Sequence, residues 1–96
     1  MKTVFPPATR VVSGTADGSL YSGAGLITTI GVDPEGGACE ITVRDGDASG
    51  SLLWNMSTAA DGEYRGQGFK GIAFNQGIYL QVSGTGRGLV EFIKKA

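Results

Sequence analysis

Cys39-Glu40-Ile41-Thr42-Val43-Arg44 is the stretch on which the fold turns. Successive side chains of a strand point to opposite faces. Cys39, Ile41 and Val43 therefore share an apolar face, and Glu40, Thr42 and Arg44 a polar one. Ile41, Thr42 and Val43 are β-branched, which suits a pleated, half-buried backbone. The stretch predicts a strand with one face in a core. Cys39 lies on the apolar side and reads as a buried thiol. As the only cysteine of the chain it can form neither an internal disulfide nor a thiolate cluster, and it fits synthesis in a reducing compartment.

The same grammar extends outward in both directions. Asp33-Pro34-Glu35-Gly36-Gly37 precedes the central strand and reads as a turn. Before it, Leu26 to Val32 reads as a strand with Leu26, Thr28, Ile30 and Val32 on one face and Ile27 and Thr29 on the other. After it, Asp45 to Gly50 is a turn and Ser51 to Ser57 a strand, with Leu52, Trp54 and Met56 sharing a face. Thr9 to Ser13 and Gly18 to Ser22 are short strands near the start. Ala59 to Gly68 reads as a polar loop, Phe69 to Phe74 as a strand, and Ile78 to Val82 as another with Ile78, Leu80 and Val82 inward. Gly84-Thr85-Gly86-Arg87-Gly88 reads as a turn into a last strand, Leu89 to Ile93.

Glycine punctuates these short apolar runs, as expected of many strands joined by turns. No window of helical length keeps an apolar stripe free of it. The expected fold is all-β, a single small antiparallel β-sandwich or jelly roll of about seven or eight strands. The domain spans 9–96, and residues 1–8 form an extended arm because Pro6-Pro7 fixes φ and removes two donors. The expected core is Leu26, Ile30, Ile41, Val43, Leu52, Trp54, Ile72, Phe74, Ile78, Leu80, Val82 and Ile93.

Composition narrows function further. The net charge is −1 and the basic residues are scattered, with Lys94-Lys95 the only adjacent pair, so the clustered stripe that nucleic acid demands is missing. No run approaches the length of a membrane span, and Lys2-Thr3-Val4-Phe5-Pro6-Pro7 has no apolar signal region. Histidine is absent, which removes Ser/His and Cys/His nucleophile pairs. The acids Asp17, Asp33, Glu35, Asp45, Asp47 and Asp61 fall in turns, where carboxylates bond to nearby backbone. The expectation is a protein that is not an enzyme and needs no cofactor.

Two motifs invite a ligand. Asp45-Gly46-Asp47-Ala48-Ser49-Gly50 matches the opening of a calcium loop, but its twelfth position is Met56, where a bidentate Glu belongs, and a tight hairpin loop is the simpler reading. Gly84-x-Gly86-x-Gly88 precedes a strand, so no helix N-terminus is there to hold a phosphate. Trp54, Phe69, Phe74, Tyr79 and Phe92 occupy alternating positions and read as core. Tyr21 and Tyr64, in looser segments, are the candidate surface contacts, and Val4, Phe5, Pro6, Pro7 and Arg10 are the candidate partner-binding residues of the arm.

Several segments recur in a suggestive order. Ser19-Leu20-Tyr21-Ser22-Gly23-Ala24-Gly25-Leu26-Ile27 leads on to Ile30. Ile41-Thr42-Val43-Arg44-Asp45-Gly46 is followed by Ser49-Gly50 and Leu52-Leu53. Gly66-Gln67-Gly68-Phe69-Lys70-Gly71-Ile72-Ala73-Phe74 comes next, then Tyr79-Leu80-Gln81-Val82-Ser83-Gly84 and a final apolar strand. From residue 12 to residue 93 this order resembles the small β-sandwich virion structural proteins of tailed bacteriophages, of the capsid decoration (cement) type. The resemblance implies a homo-oligomer, a trimer favoured, seated in the virion on the major capsid protein or another virion protein, and made in the bacterial host cytoplasm. It implies no catalytic residues, no nucleic-acid partner and no membrane. The alternatives are a phage tail or neck component, or a small carbohydrate- or calcium-binding β module.

Overall fold

The structure is a computed structural model and describes residues 9–59 and 62–95. The expected arm over residues 1–8, with Val4, Phe5, Pro6 and Pro7, lies outside the described residues, as does Asp61. Six strands and no helix are present among the described residues: β1 (Thr9–Gly14), β2 (Gly18–Ser22), β3 (Gly25–Asp45), β4 (Leu52–Thr58), β5 (Arg65–Phe74) and β6 (Gly77–Lys94). All belong to one antiparallel sheet.

Two long strands are its spine. β3, of 21 residues, and β6, of 18, pair from Gly25↔Lys94 to Asp45↔Ile78. β1 lies along the C-terminal half of β6 and β2 along its N-terminal half. β5 lies along the N-terminal half of β3 and β4 along its C-terminal half. One half of the sheet thus runs β1-β6-β3-β5, and the other β2-β6-β3-β4. The strand count is lower than expected because Asp33–Gly37 and Gly84–Gly88, read as turns, stay inside β3 and β6. There the ladder shifts register between Pro34 and Cys39 instead of ending.

That irregularity creases the sheet. Gly84 has φ +95°, a conformation that disfavours a side chain, and a Cβ there would strike the Ala38 carbonyl. Beyond the crease the two halves turn their apolar faces toward each other. Ile27, Ile30, Val32, Val90 and Phe92 come from one half, and Cys39, Ile41, Val43, Met56, Ile78 and Leu80 from the other; with Phe74 they form one buried cluster. Aromatic pairs cross between the halves at both flanks. Tyr21 lies 4.5 Å from Phe92, and Trp54 lies 4.7 Å from Phe69 edge-to-face, measured between ring centroids. Such pairs add roughly 0.5–1.5 kcal/mol beyond area burial.

Two bulges correct the expected core. Against β6 the register of β3 shifts between Ile27 and Thr29 so that Thr28 is an extra residue, whereas against β5 the extra residues lie in β5, between Gly68 and Ile72. Alternation changes phase there: Ile27, Ile30 and Val32 point inward and Leu26 is left 44% exposed. Thr28 is held by its hydroxyl, which donates to Glu91 Oε1 at 2.8 Å. In β4, Val43 faces Trp54 and Arg44 faces Leu52, which makes Leu53 the extra residue. Met56 is buried, Trp54 and Leu53 pack against the core, and Leu52 is 58% exposed. Ile93 is likewise on the outer face, paired with Thr9 and Leu26, whereas Val90 and Phe92 fill the interior. β5 begins four residues earlier than the expected Phe69, because Arg65 to Gly68 continue the ladder opposite Thr29 to Val32.

Candidate interaction surface

The two outer faces of the creased sheet differ in chemistry. On the β2-β6-β3-β4 half, polar residues bond to one another across strands. Arg44 donates through Nε to Gln81 Oε1 at 2.8 Å and through a guanidinium nitrogen to the Gly50 carbonyl at 3.2 Å. Asn55 Nδ2 donates to Thr42 Oγ1 at 3.0 Å and to the Ile41 carbonyl at 3.1 Å. These groups satisfy each other, and beside Arg44 the face also exposes Leu52.

The β1-β6-β3-β5 half is different. Cross-strand register places Thr9, Ile93, Leu26 and Ala73 in one outward row, and Val11 faces Glu91 in the next. Val11 is 62% exposed, although its neighbour Val12 packs on the core. Further along, Gly31 pairs with Leu89 on one side and Gly66 on the other, and the Tyr64 ring lies over both glycines. A side chain at Gly31 would collide with the Tyr64 hydroxyl, so glycine makes the seat on which this half-exposed ring rests. Glu91 is the carboxylate of this face near the apolar row, and it accepts the Thr28 hydroxyl. The outward positions of this half are therefore mostly apolar.

A cleft of about 290 Å³ opens at the end of this face opposite the crease. Leu26, Ala73, Phe74 and Ile93 line it, with Lys94 and Lys95 at its rim. Phe74 can lie across β3 because Gly25 has no Cβ, which would sit 2.8 Å from its Cζ. The Lys95 N–H donates to the Ala24 carbonyl at 2.9 Å and ties down the cleft's end.

The residues expected at the surface divide accordingly. Tyr64 is exposed, at 53%, on the apolar face. Tyr21 is half-buried, with its ring packed on Phe74 and Phe92, so the fold itself engages it. Arg10 is exposed on β1, opposite Phe92. Leu26, Ile93 and Val11 were not expected at the surface. Periodicity assigned the first two to the core, and only the bulge at Thr28 puts Leu26 outside.

The Asp45–Gly50 segment closes the β3–β4 hairpin. Its first carboxylate is engaged: Asp45 accepts the backbone N–H groups of Gln76 at 2.8 Å, Asn75 at 3.0 Å and Gly77 at 3.3 Å. Desolvation alone would raise this carboxyl, but the three N–H donors outweigh it and hold Asp45 below the usual carboxylate range. Asp47 accepts the Ser49 N–H at 2.8 Å within the loop. Asp17 accepts the Val82 N–H at 2.7 Å, which pins the β1–β2 turn to β6. These turn acids clamp backbone, and no three of the described His, Cys, Asp or Glu residues gather as a metal set.

Cys39 is buried. Burial raises its thiol pKa, with the nearby charges of Asp33 and Glu35 adding to the effect, so the reactive thiolate is suppressed. Among the described residues no helix is long and apolar enough to cross a membrane. Comparison of the chain with protein-family models, with curated proteins and with solved structures returns no match.

Proposed function

We propose that the protein is a non-enzymatic virion structural protein, a capsid decoration (cement) protein that binds and stabilises the major capsid lattice as a homo-oligomer, a trimer favoured. The creased sheet is read as the sandwich of that class, with the two long strands shared between its layers. The observation that carries the reading is the contrast between the outer faces. One carries a cross-strand polar network with a single exposed large apolar side chain, Leu52, and the other is mostly apolar, with Val11, Leu26 and Tyr64 exposed on it. A protein seated on a lattice needs one face for its support and one for solvent, and apolar area removed from water supplies the drive at roughly 25 cal/mol per Å². β5 adds an exposed edge for strand pairing with a neighbour, moderated by Lys70 in mid-strand. The order of sequence segments from residue 12 to residue 93 supplies the virion context.

Purified protein mixed with expanded capsids tests this directly. Co-sedimentation at a stoichiometry matching the capsid subunits is expected, and a double variant, Val11→Lys with Tyr64→Lys, should lose it while remaining folded. Failure to bind capsids, together with absence from purified virions, would sink the assignment.

A further inference from the structure

We propose that the cleft over Leu26, Ala73 and Ile93 receives the Val4-Phe5-Pro6-Pro7 segment of a second copy of this chain, so that copies associate by exchanging their first eight residues. The proposal takes from the virion reading only the expectation of a homo-oligomer. It concerns a site between copies in solution, with no capsid present.

Three observations lead there. The cleft is apolar, and Leu26, which periodicity would bury, stays 44% exposed beside it. The described chain begins at Thr9, which pairs with Ile93 in the cleft wall, so the eight preceding residues start one strand away, at the same end of the sheet. Those residues also have fitting chemistry. The cleft's apolar lining calls for an apolar stretch, and with Lys94 and Lys95 also in the lining an occupant must keep its own cations clear. Thr3 to Ala8 is such a stretch, with Lys2 beyond it.

Proline decides between a neighbour's cleft and the chain's own. A residue before proline is restricted to extended conformations, which applies to both Phe5 and Pro6. A segment stiffened in this way does not double back readily onto the sheet end it has just left. Its sequence favours an extended course, for which eight residues at about 3.1 Å each span about 25 Å. The two prolines also carry no N–H that burial would strand, and their fixed φ lowers the ordering cost of docking.

Light scattering on the full-length chain tests the exchange through complementation. The wild type should associate, whereas Phe5→Ser, which spoils the segment, and Leu26→Asp, which spoils the cleft, should each be monomeric. Mixing the two variants should restore association, because one still offers an intact cleft and the other an intact segment. Cooperative unfolding of each variant alone checks that both are folded, and Ala73→Asp replaces Leu26→Asp if the latter is not. A monomeric wild type at all concentrations overturns the proposal, as does an associating wild type whose mixed variants stay monomeric. A monomer that still binds capsids would sink the exchange and leave the virion assignment standing.

Discussion

Gly88 and Leu80 lie eight positions apart on β6, yet a Cβ placed on Gly88 would sit 2.7 Å from Leu80 Cδ1. An extended strand would hold these positions about 26 Å apart. The contact exists because β6 folds back at its Gly84–Gly86 crease, and the missing side chain of Gly88 makes room for Leu80 and for Ile41, 3.1 Å away. Gly88→Ala is thus expected to overpack the interior between the halves and to lower stability by roughly 1–3 kcal/mol. A urea titration checks it. A midpoint equal to that of the wild type would mean that the halves are not in contact at this point.

The bulge at Thr28 makes a sharper claim, because simple alternation says the opposite. Ile27→Ala should cost roughly 2–5 kcal/mol as a buried truncation, while Leu26→Ser, on the outer face, should stay within about 0.5 kcal/mol when both are made in the monomeric Phe5→Ser background. Chemical denaturation of the two variants decides the phase of β3, and a reversed order of costs would place the bulge elsewhere.

Asp45 ties the β3–β4 hairpin to the turn between β5 and β6. Its folded pKa is depressed, so its contribution to stability is present above the ordinary carboxylate pKa and is lost as pH falls through the lower folded value. The wild type should accordingly weaken as pH drops below about 4. Asp45→Asn should be less stable at neutral pH and should show a smaller loss on acidification. Thermal melts from pH 2 to 7 measure both, and parallel pH profiles for the two proteins would show that the clamp contributes nothing.

Cys39 offers a probe of opening. Because the thiol is buried and its pKa raised, labelling should be slow in native buffer and should follow the global unfolding equilibrium as denaturant is added. Fast labelling without denaturant would show that the crease opens locally.

Much of the strand content was legible in short-range pattern. Cys39, Ile41 and Val43 alternate with polar neighbours and are buried, as are Ile78 and Leu80. The hairpin loop at Asp45–Gly50 follows from its turn residues, because such loops are set by local backbone chemistry. The candidate site was far less legible. Leu26 and Ile93 look like core residues by composition and spacing, and nothing local marks Thr28 as the residue at which alternation slips.

Strand periodicity is a property of consecutive residues, so the all-β class, the central strand and the inward side chains of its regular stretches are readable from the chain alone. That Asp33–Gly37 and Gly84–Gly88 bend two long strands instead of ending four short ones emerges from long-range pairing. It also decided which of two equally apolar faces went to the core. Both outcomes depend on register between β3 and β6, whose partners are as distant in the chain as Gly25 and Lys94. A one-residue shift in that register exchanges inside for outside along a whole strand.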